Sequence, residues 1–136
     1  MSLPEPERGL VIRYGYLWHR EAMQGREEGR KDRPCAIVIA AKSGLVVVAP
    51  ITHTLPSPET TAVELPVDAA RRLGLDDDRS WIVTDDLNMF RWPGYDVRPA
   101  TGTSWAFGRL PPAIMKAVIE KITEQRDKVR MVNRDS

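Results

Sequence analysis

Two almost continuous apolar runs, separated by three turn residues, constrain the fold more than any other feature of this 136-residue chain. The runs cover residues 34–41 and 45–52, and Lys42-Ser43-Gly44 connects them. This pattern predicts two antiparallel core strands joined by a tight turn. Because the turn fixes the register, we expect Arg33 and Thr52 to lie near each other at the open end of this hairpin.

The remaining sequence predicts short strands, charged loops and little helix. Strands are predicted over residues 9–18, 61–65, 80–84 and 88–92, and a short helix over 66–73. Loops are predicted over the charged residues 19–33, over 53–60 and, without regular structure, over 95–106. An amphipathic helix is predicted from Pro111 to about Arg130. This order favours a mainly β fold, a strongly bent sheet or open β-barrel with a C-terminal α-helix packed on it.

Length and composition indicate one globular domain. The chain has 42% hydrophobic and 29% charged residues, which is typical of a folded soluble protein. We expect a frayed segment at residues 1–8, a single domain at 9–130 and a tail at 131–136.

Charge, cysteine content and hydropathy exclude several classes of protein. The net charge of +1 excludes a polybasic DNA-coating protein. Cys35 is the single cysteine, so no internal disulfide can form, and one Cys with two His cannot build a Cys/His zinc site. The longest apolar run is too short to span a membrane, and the N-terminus lacks the features of a signal peptide. We therefore expect a cytoplasmic protein with no membrane association and no metal or other cofactor.

The open end of the predicted hairpin carries residue types suited to phosphodiester chemistry. Arg33 offers a planar, permanently charged grip on phosphate, and Thr52 adds a hydroxyl. Glu27 and Glu28 lie a few residues before Arg33, so we expect one of their carboxylates to fold back over the same edge. There it would accept a proton from a ribose 2′-hydroxyl. His53 or a guanidinium would assist the leaving 5′-oxygen. Structural roles remain open alternatives, such as an ion pair of Arg33 with Asp32 or Glu28.

Further side chains are candidates for RNA binding. The charged segment contributes three cations, and the second loop contributes the histidine: Arg26, Arg30, Lys31 and His53. The four tryptophans either stack on bases or belong to the core.

Several sequence blocks resemble the MazF/PemK-type toxins of toxin–antitoxin systems. The blocks are Gly25-Arg26-Glu27-Glu28, the run Arg33-Pro34-Cys35-Ala36-Ile37-Val38-Ile39, the strand end Val48-Ala49-Pro50-Ile51-Thr52, and Gly108-Arg109-Leu110-Pro111-Pro112 before the last helix. The resemblance covers roughly residues 9–130, and residues 16–19 and 75–106 depart from the family pattern.

The resemblance implies an SH3-like barrel of the CcdB/MazF type with a C-terminal helix, assembled as a homodimer. It also implies metal-independent cleavage of single-stranded RNA to 2′,3′-cyclic phosphate and 5′-hydroxyl ends, and control by a cognate antitoxin. The family's catalytic Arg and Thr correspond to Arg33 and Thr52. The loop carboxylate corresponds to Glu28 by its distance from the Arg, or to Glu27 by the Gly-x-Glu spacing. Because the same fold class includes gyrase poisons, a non-catalytic binding module is the alternative.

Overall fold

A computed structural model describes residues 1–29, 31–76 and 78–135. The strands in these residues are β1 (Leu10–Tyr14), β2 (Arg33–Ala40), β3 (Leu45–Thr52), β4 (Ala62–Leu65), β5 (Ser80–Val83), β6 (Asp86–Arg91), β7 (Val97–Arg98), β8 (Ala106–Arg109) and β9 (Arg130–Asn133). The α-helices are α1 (His19–Met23), α2 (Val67–Arg72) and α3 (Pro112–Glu124), and a 3-10 turn covers Arg126–Lys128.

The predicted hairpin, β2–β3, forms the centre of one nine-stranded sheet. Its register pairs Cys35 with Pro50 and Ile37 with Val48, and it shifts by one residue at a bulge between Ile37 and Ile39. The turn residue Gly44 has a φ of 93°, which glycine adopts without a steric penalty. The hairpin and its turn are therefore confirmed.

The two strands that flank β2, namely β3 and β1, each share their outer edge between two shorter strands. β3 pairs with β6 through residues 45–48 and with β5 through residues 51–52. β1 pairs in the same way with β8 and then with β7. All pairs are antiparallel except β6–β9, which is parallel. The fold is thus mainly β with a C-terminal helix, as predicted, and the described strands do not close into a continuous ring.

Apolar side chains cover both faces of the sheet, which explains the unbroken apolar runs of β2 and β3. One face packs against α2 and α3, with Val38, Leu73 and Val118 among its buried residues. On the other face, the rings of Tyr14 and Phe90 stack with centroids 4.6 Å apart. Each fully buried aliphatic or aromatic side chain contributes about 1.5–3 kcal/mol to stability.

Three sequence-based predictions of secondary structure are wrong in part. The segment 19–33 is not a loop throughout, because it begins with α1. The last helix ends at Glu124, well before Arg130, and the chain then returns to the sheet as β9. The region 95–106 contains β7 and the first residue of β8. All three elements are short and depend on contacts with distant residues, which local sequence patterns do not encode.

Two predicted strands also have different boundaries in the structure. The first strand ends at Tyr14 rather than at Trp18, and the strand predicted from Asn88 begins at Asp86. None of the helices in the described ranges is long and apolar enough to cross a membrane.

Candidate functional site

Arg33 and Thr52 line one cavity of about 320 Å³ at the open end of the central hairpin. The β2–β3 pairing, continued two residues beyond Cys35 and Pro50, places them opposite each other, as the sequence predicts. The same cavity is lined by three further basic residues, two carboxylates and one aromatic ring: Arg20, Lys31, His53, Asp32, Asp76 and Trp18. Basic residues outnumber acidic ones in this lining, and an excess of positive charge favours a phosphodiester.

The guanidinium of Arg33 is half-buried and has no ion pair within the described residues. Its Nε is fully buried and finds no hydrogen-bond acceptor there. Burial lowers the pKa of Arg33 from its usual value. Asp32, one alternative partner considered from the sequence, instead lies 3.8 Å from Arg13 and 4.0 Å from Arg98. A buried cation without a partner is costly, and an anionic ligand in the cavity would offset that cost.

Trp18 and Arg20 connect this cavity with two neighbouring depressions, since both residues line all three. The guanidinium carbons of Arg20 and Arg33 lie 5.3 and 5.1 Å from the centroid of the Trp18 ring, within range of a cation–π interaction. The sequence analysis missed Arg20. Arg20 lies in the first turn of α1, and the sequence predicted a loop there instead of a helix.

The predicted loop carboxylates do not join Arg33 and Thr52. Glu28 is exposed and does not belong to the described lining of this cavity. The backbone carbonyl of Glu27 accepts a 3.5 Å contact from Arg134 Nη2. A different carboxylate, Glu21, is buried beside Arg33 in a depression of about 340 Å³. Its Oε1 accepts a 3.1 Å hydrogen bond from the Trp18 backbone N–H and so caps α1.

Two of the four predicted RNA-binding residues line the cavity, namely Lys31 and His53. Arg26 lies 3.9 Å from Glu21 and is not part of the cavity's described lining. Arg30 lies outside the described residues. The structure therefore places two of these cations where a phosphate at Arg33 would meet them.

His53 is held at the edge of the cavity through both ring nitrogens. Nδ1 lies 2.8 Å from the carbonyl oxygen of Arg79, and Nε2 lies 3.0 Å from Oδ2 of Asp76. The carbonyl of Arg79 and then the carboxylate of Asp76 raise the pKa of His53, partly offset by desolvation. Asp78 completes an exposed trio whose ligand atoms lie within 4.8 Å of one another. Since both nitrogens of His53 are already hydrogen-bonded, the arrangement favours a protonated imidazole over a metal ligand.

A second cavity, of about 370 Å³, begins on the other side of Thr52. It shares Thr52, Trp18 and Arg20 with the first and adds the acidic pair Asp85 and Asp86. Thr52 Oγ1 accepts a 3.1 Å hydrogen bond from the backbone N–H of Thr54. The sequence analysis missed Asp85 and Asp86. Their position between two predicted strands, 80–84 and 88–92, was a signal for a tight turn that presents carboxylates.

Asp86, in the lining of the second cavity, is fixed by hydrogen bonds to both of its carboxylate oxygens. Its Oδ1 accepts a 2.5 Å hydrogen bond from the hydroxyl of buried Tyr16. Its Oδ2 accepts a 3.3 Å hydrogen bond from the backbone N–H of His19. Burial raises the pKa of Asp86 above its usual value despite these two donors, and burial with the nearby carboxylate raises the pKa of Tyr16 well above 10.

The fold and the cavity define a mainly β protein with a cationic site at the open end of its central hairpin. No family model matches the chain, and no curated protein or solved structure is significantly similar to it. The function is therefore inferred from the residues and the geometry described above, together with the sequence resemblance.

Proposed function

We propose that this chain is a metal-independent endoribonuclease of the MazF/PemK toxin type that cleaves single-stranded RNA. The observation that carries the proposal is the half-buried Arg33, whose buried Nε has no hydrogen-bond acceptor among the described residues and which shares a cavity with Thr52 and His53. Such a cavity complements a phosphodiester, because its charges are fixed before the substrate arrives. The products would be 2′,3′-cyclic phosphate and 5′-hydroxyl ends.

The roles follow from where charge develops during the reaction. Arg33 would contact the non-bridging oxygens and stabilise the additional negative charge on phosphorus. Thr52 would donate a neutral hydrogen bond to one of those oxygens, and the His53 cation would stabilise the leaving 5′-oxygen. A carboxylate is still required to accept the proton of the 2′-hydroxyl, and the resemblance assigns this role to the loop glutamate, which is Glu28 by its distance from the Arg or Glu27 by the Gly-x-Glu spacing.

The proposal extends to architecture and partners. The bent nine-stranded sheet with α3 is interpreted as the SH3-like barrel of this toxin type, and the active form as a homodimer. A cognate antitoxin would control it in the cytoplasm.

The test is cleavage of a long, varied single-stranded RNA by purified protein in excess EDTA, with the product ends mapped. Arg33→Ala is expected to reduce the cleavage rate by about 10²–10³-fold, because one preorganised charge at the transition state is removed. Arg72→Ala is the matched control, since Arg72 is exposed on α2 outside the described cavity lining. A folded Arg33→Ala variant that cleaves at the wild-type rate contradicts the proposal.

The position of Glu28 supports a second candidate, a module that binds RNA or a protein such as gyrase without cleaving anything. Its side chain is exposed and does not share the described cavity with Arg33. RNA that binds with an Arg33-dependent affinity but stays intact would favour an RNA-binding module. Retention of gyrase by the immobilised protein, with no RNA cleavage, would favour a gyrase poison.

A further inference from the structure

We propose that Asp86 is the carboxylate that accepts the proton of the ribose 2′-hydroxyl in this site, in place of Glu28. The inference rests on the proposed ribonuclease function and deepens it. It assigns a catalytic residue that the sequence resemblance does not supply.

The positions of the cavities carry the first step of the argument. Thr52 lines both the cavity that contains Arg33 and the cavity that contains Asp86. A phosphodiester bound at Thr52 would therefore have the Arg33 guanidinium on one side and the Asp86 carboxylate on the other. Trp18 and Arg20 line both cavities and make them one continuous surface.

The hydrogen bonds of Asp86 suit a base rather than a purely structural group. An ionised carboxylate has about four acceptor positions, and the described residues occupy two of them, through Tyr16 and the His19 backbone N–H. The other positions are open to a substrate hydroxyl, because Asp86 is only half-buried and faces the cavity. Tyr16 and His19 fix the orientation of the carboxylate, as an orienting group does for a catalytic base.

The charges around Asp86 adjust its basicity. Burial and the neighbouring Asp85 raise its pKa, and the Tyr16 hydroxyl, the His19 backbone and the charge of His19 lower it. Arg20 from α1 and Arg130 from β9 line the same cavity. The balance leaves a carboxylate that binds protons more readily than a solvated one, which improves proton abstraction near neutral pH.

The other acidic residues near Arg33 are less suitable. Asp32 lines the cavity of Arg33 and Thr52, but its carboxylate lies 3.8 Å from Arg13 and 4.0 Å from Arg98. Asp76 lines the same cavity, and its Oδ2 lies 3.0 Å from Nε2 of His53. Glu21 Oε1 is engaged in capping α1, Glu21 lies 3.9 Å from Arg26, and it shares a depression with Arg33 but not with Thr52. Glu28 is exposed and outside the described lining of all three depressions. Asp86 borders Thr52 in the second cavity, has donors on both oxygens and forms no ion pair with any described residue.

The proposed step conserves atoms and charge. The 2′-hydroxyl proton moves to the Asp86 carboxylate as the 2′-oxygen forms a bond to phosphorus. The bond from phosphorus to the 5′-oxygen breaks, and that oxygen takes a proton from water. Asp86 then returns its proton to solvent, so the reaction is a transesterification with no net change in the protein.

The experiment measures single-turnover cleavage in EDTA from about pH 5 to 9 for the wild type, Asp86→Asn, Asp68→Asn and Glu28→Gln. Asp86→Asn is expected to slow cleavage by about 10²–10⁴-fold and to remove the acidic limb of the pH–rate profile. Its affinity for an RNA with uncleavable 2′-deoxy residues should stay within about twofold of the wild type. Asp68→Asn is the matched control, because Asp68 is exposed on α2 and outside the described lining of all three depressions. It should stay within a few-fold of the wild-type rate.

Tyr16→Phe tests the same assignment while keeping the carboxylate. Removing the hydroxyl donor raises the pKa of Asp86, so the acidic limb should move to higher pH. This variant also covers the case in which Asp86→Asn does not fold, as judged by circular dichroism. An acidic limb that stays in place in folded Tyr16→Phe overturns the assignment.

Other outcomes separate the assignment from the proposed function. If the wild type cleaves RNA and folded Asp86→Asn cleaves equally fast, the assignment is wrong and the ribonuclease remains. Loss of activity in Glu28→Gln with a normal Asp86→Asn likewise returns the role to Glu28. If the wild type cleaves no RNA, the proposed function fails and the assignment fails with it.

Discussion

Arg134 donates a 2.8 Å hydrogen bond from Nη2 to Oδ2 of Asp96, although 38 positions separate the two residues. Its Nη1 also donates to the carbonyl of Gly15 at 2.9 Å and to Oδ1 of Asn88 at 3.0 Å. Only 5% of the Arg134 side chain is exposed. This one guanidinium therefore connects the end of β9 with β6, with the residue after β1, and with the residue before β7.

Arg134→Ala is expected to lower the free energy of unfolding by about 3 kcal/mol. The substitution leaves Asp96 without this partner and removes a donor from two further acceptors, which is costly where the guanidinium was buried. Urea denaturation measures the effect. Arg72→Ala, on the exposed face of α2, should change stability by no more than about 0.5 kcal/mol. Equal denaturation midpoints for Arg134→Ala and the wild type would contradict a stabilising role for the Arg134 hydrogen bonds.

Gly29→Ala is expected to displace the charged segment that precedes β2. A Cβ at Gly29 would lie 2.1 Å from the carbonyl oxygen of Tyr16, closer than atoms can approach. Because the obstacle is backbone, relief requires movement of the chain, and we expect a loss of about 1–3 kcal/mol in unfolding free energy. Gly102→Ala is the control, since a Cβ there meets nothing within 4 Å. Thermal unfolding of the two variants measures the effect. Equal melting temperatures would contradict the close approach of Gly29 to Tyr16.

The contribution of His53 to stability should depend on pH. Its hydrogen bonds to the Arg79 carbonyl and to Asp76 raise the pKa of the folded-state imidazole above that of the unfolded chain, which is about 6.5. The stabilisation is therefore complete below about pH 6.5 and is lost as the pH rises through the higher folded-state pKa. Thermal unfolding of wild type and His53→Gln should differ most near pH 5.5, by a small amount because His53 is exposed. A difference that grows toward alkaline pH would have the wrong sign.

Arg20→Ala should weaken RNA binding without selectivity for sequence. Arg20 borders all three depressions and is exposed, so its guanidinium is placed to contact a phosphate next to the one at Arg33. Removing one phosphate contact should reduce the slope of log affinity against log salt by about 1. The measurement uses RNA with 2′-deoxy residues, so that cleavage does not interfere. A slope identical to that of the wild type would show that Arg20 touches no phosphate.

The central part of the fold could be predicted because its signals are local. The runs of β2 and β3 are apolar on both faces, and Gly44 permits the turn, so the hairpin and its register follow from adjacent residues. Those same signals bring Arg33 and Thr52 together. Long apolar strands leave few alternatives, because any other arrangement exposes their side chains.

The missed elements depend on partners far away in the chain. α1 is a short charged segment, and its first backbone N–H is satisfied by Asp86, 67 positions later. β9 is a short strand whose pairing with β6 is its main support, together with Arg134. Isolated segments of this length are marginal in water, so their own sequences carry almost no signal.

The site was predicted in part for the same reason. Its cationic half belongs to the hairpin and its flanks, whereas Arg20 and Asp86 enter through α1 and β6. Glu28 was chosen by its distance along the chain from Arg33, but the segment that carries it is held by Gly29 against Tyr16 with the Glu28 side chain exposed. Spacing in sequence does not determine the direction in which a loop side chain points.

The parallel pairing of β6 with β9 has a consequence during synthesis of the chain. β2 and β3 are adjacent and can pair as soon as both have left the ribosome, whereas Asn88 and Gly15 must wait for Arg134. Until then the buried amide of Asn88 lacks one of its donors, and the strand that begins with Asp86 has an open edge. The nascent chain would therefore carry Arg33 and Thr52 in a finished hairpin while Asp86 still lay on an incomplete strand. A ribosome-bound chain that stops before Arg130 lacks β9, and we expect it to be inactive because Asp86 then lies at an unpaired strand edge.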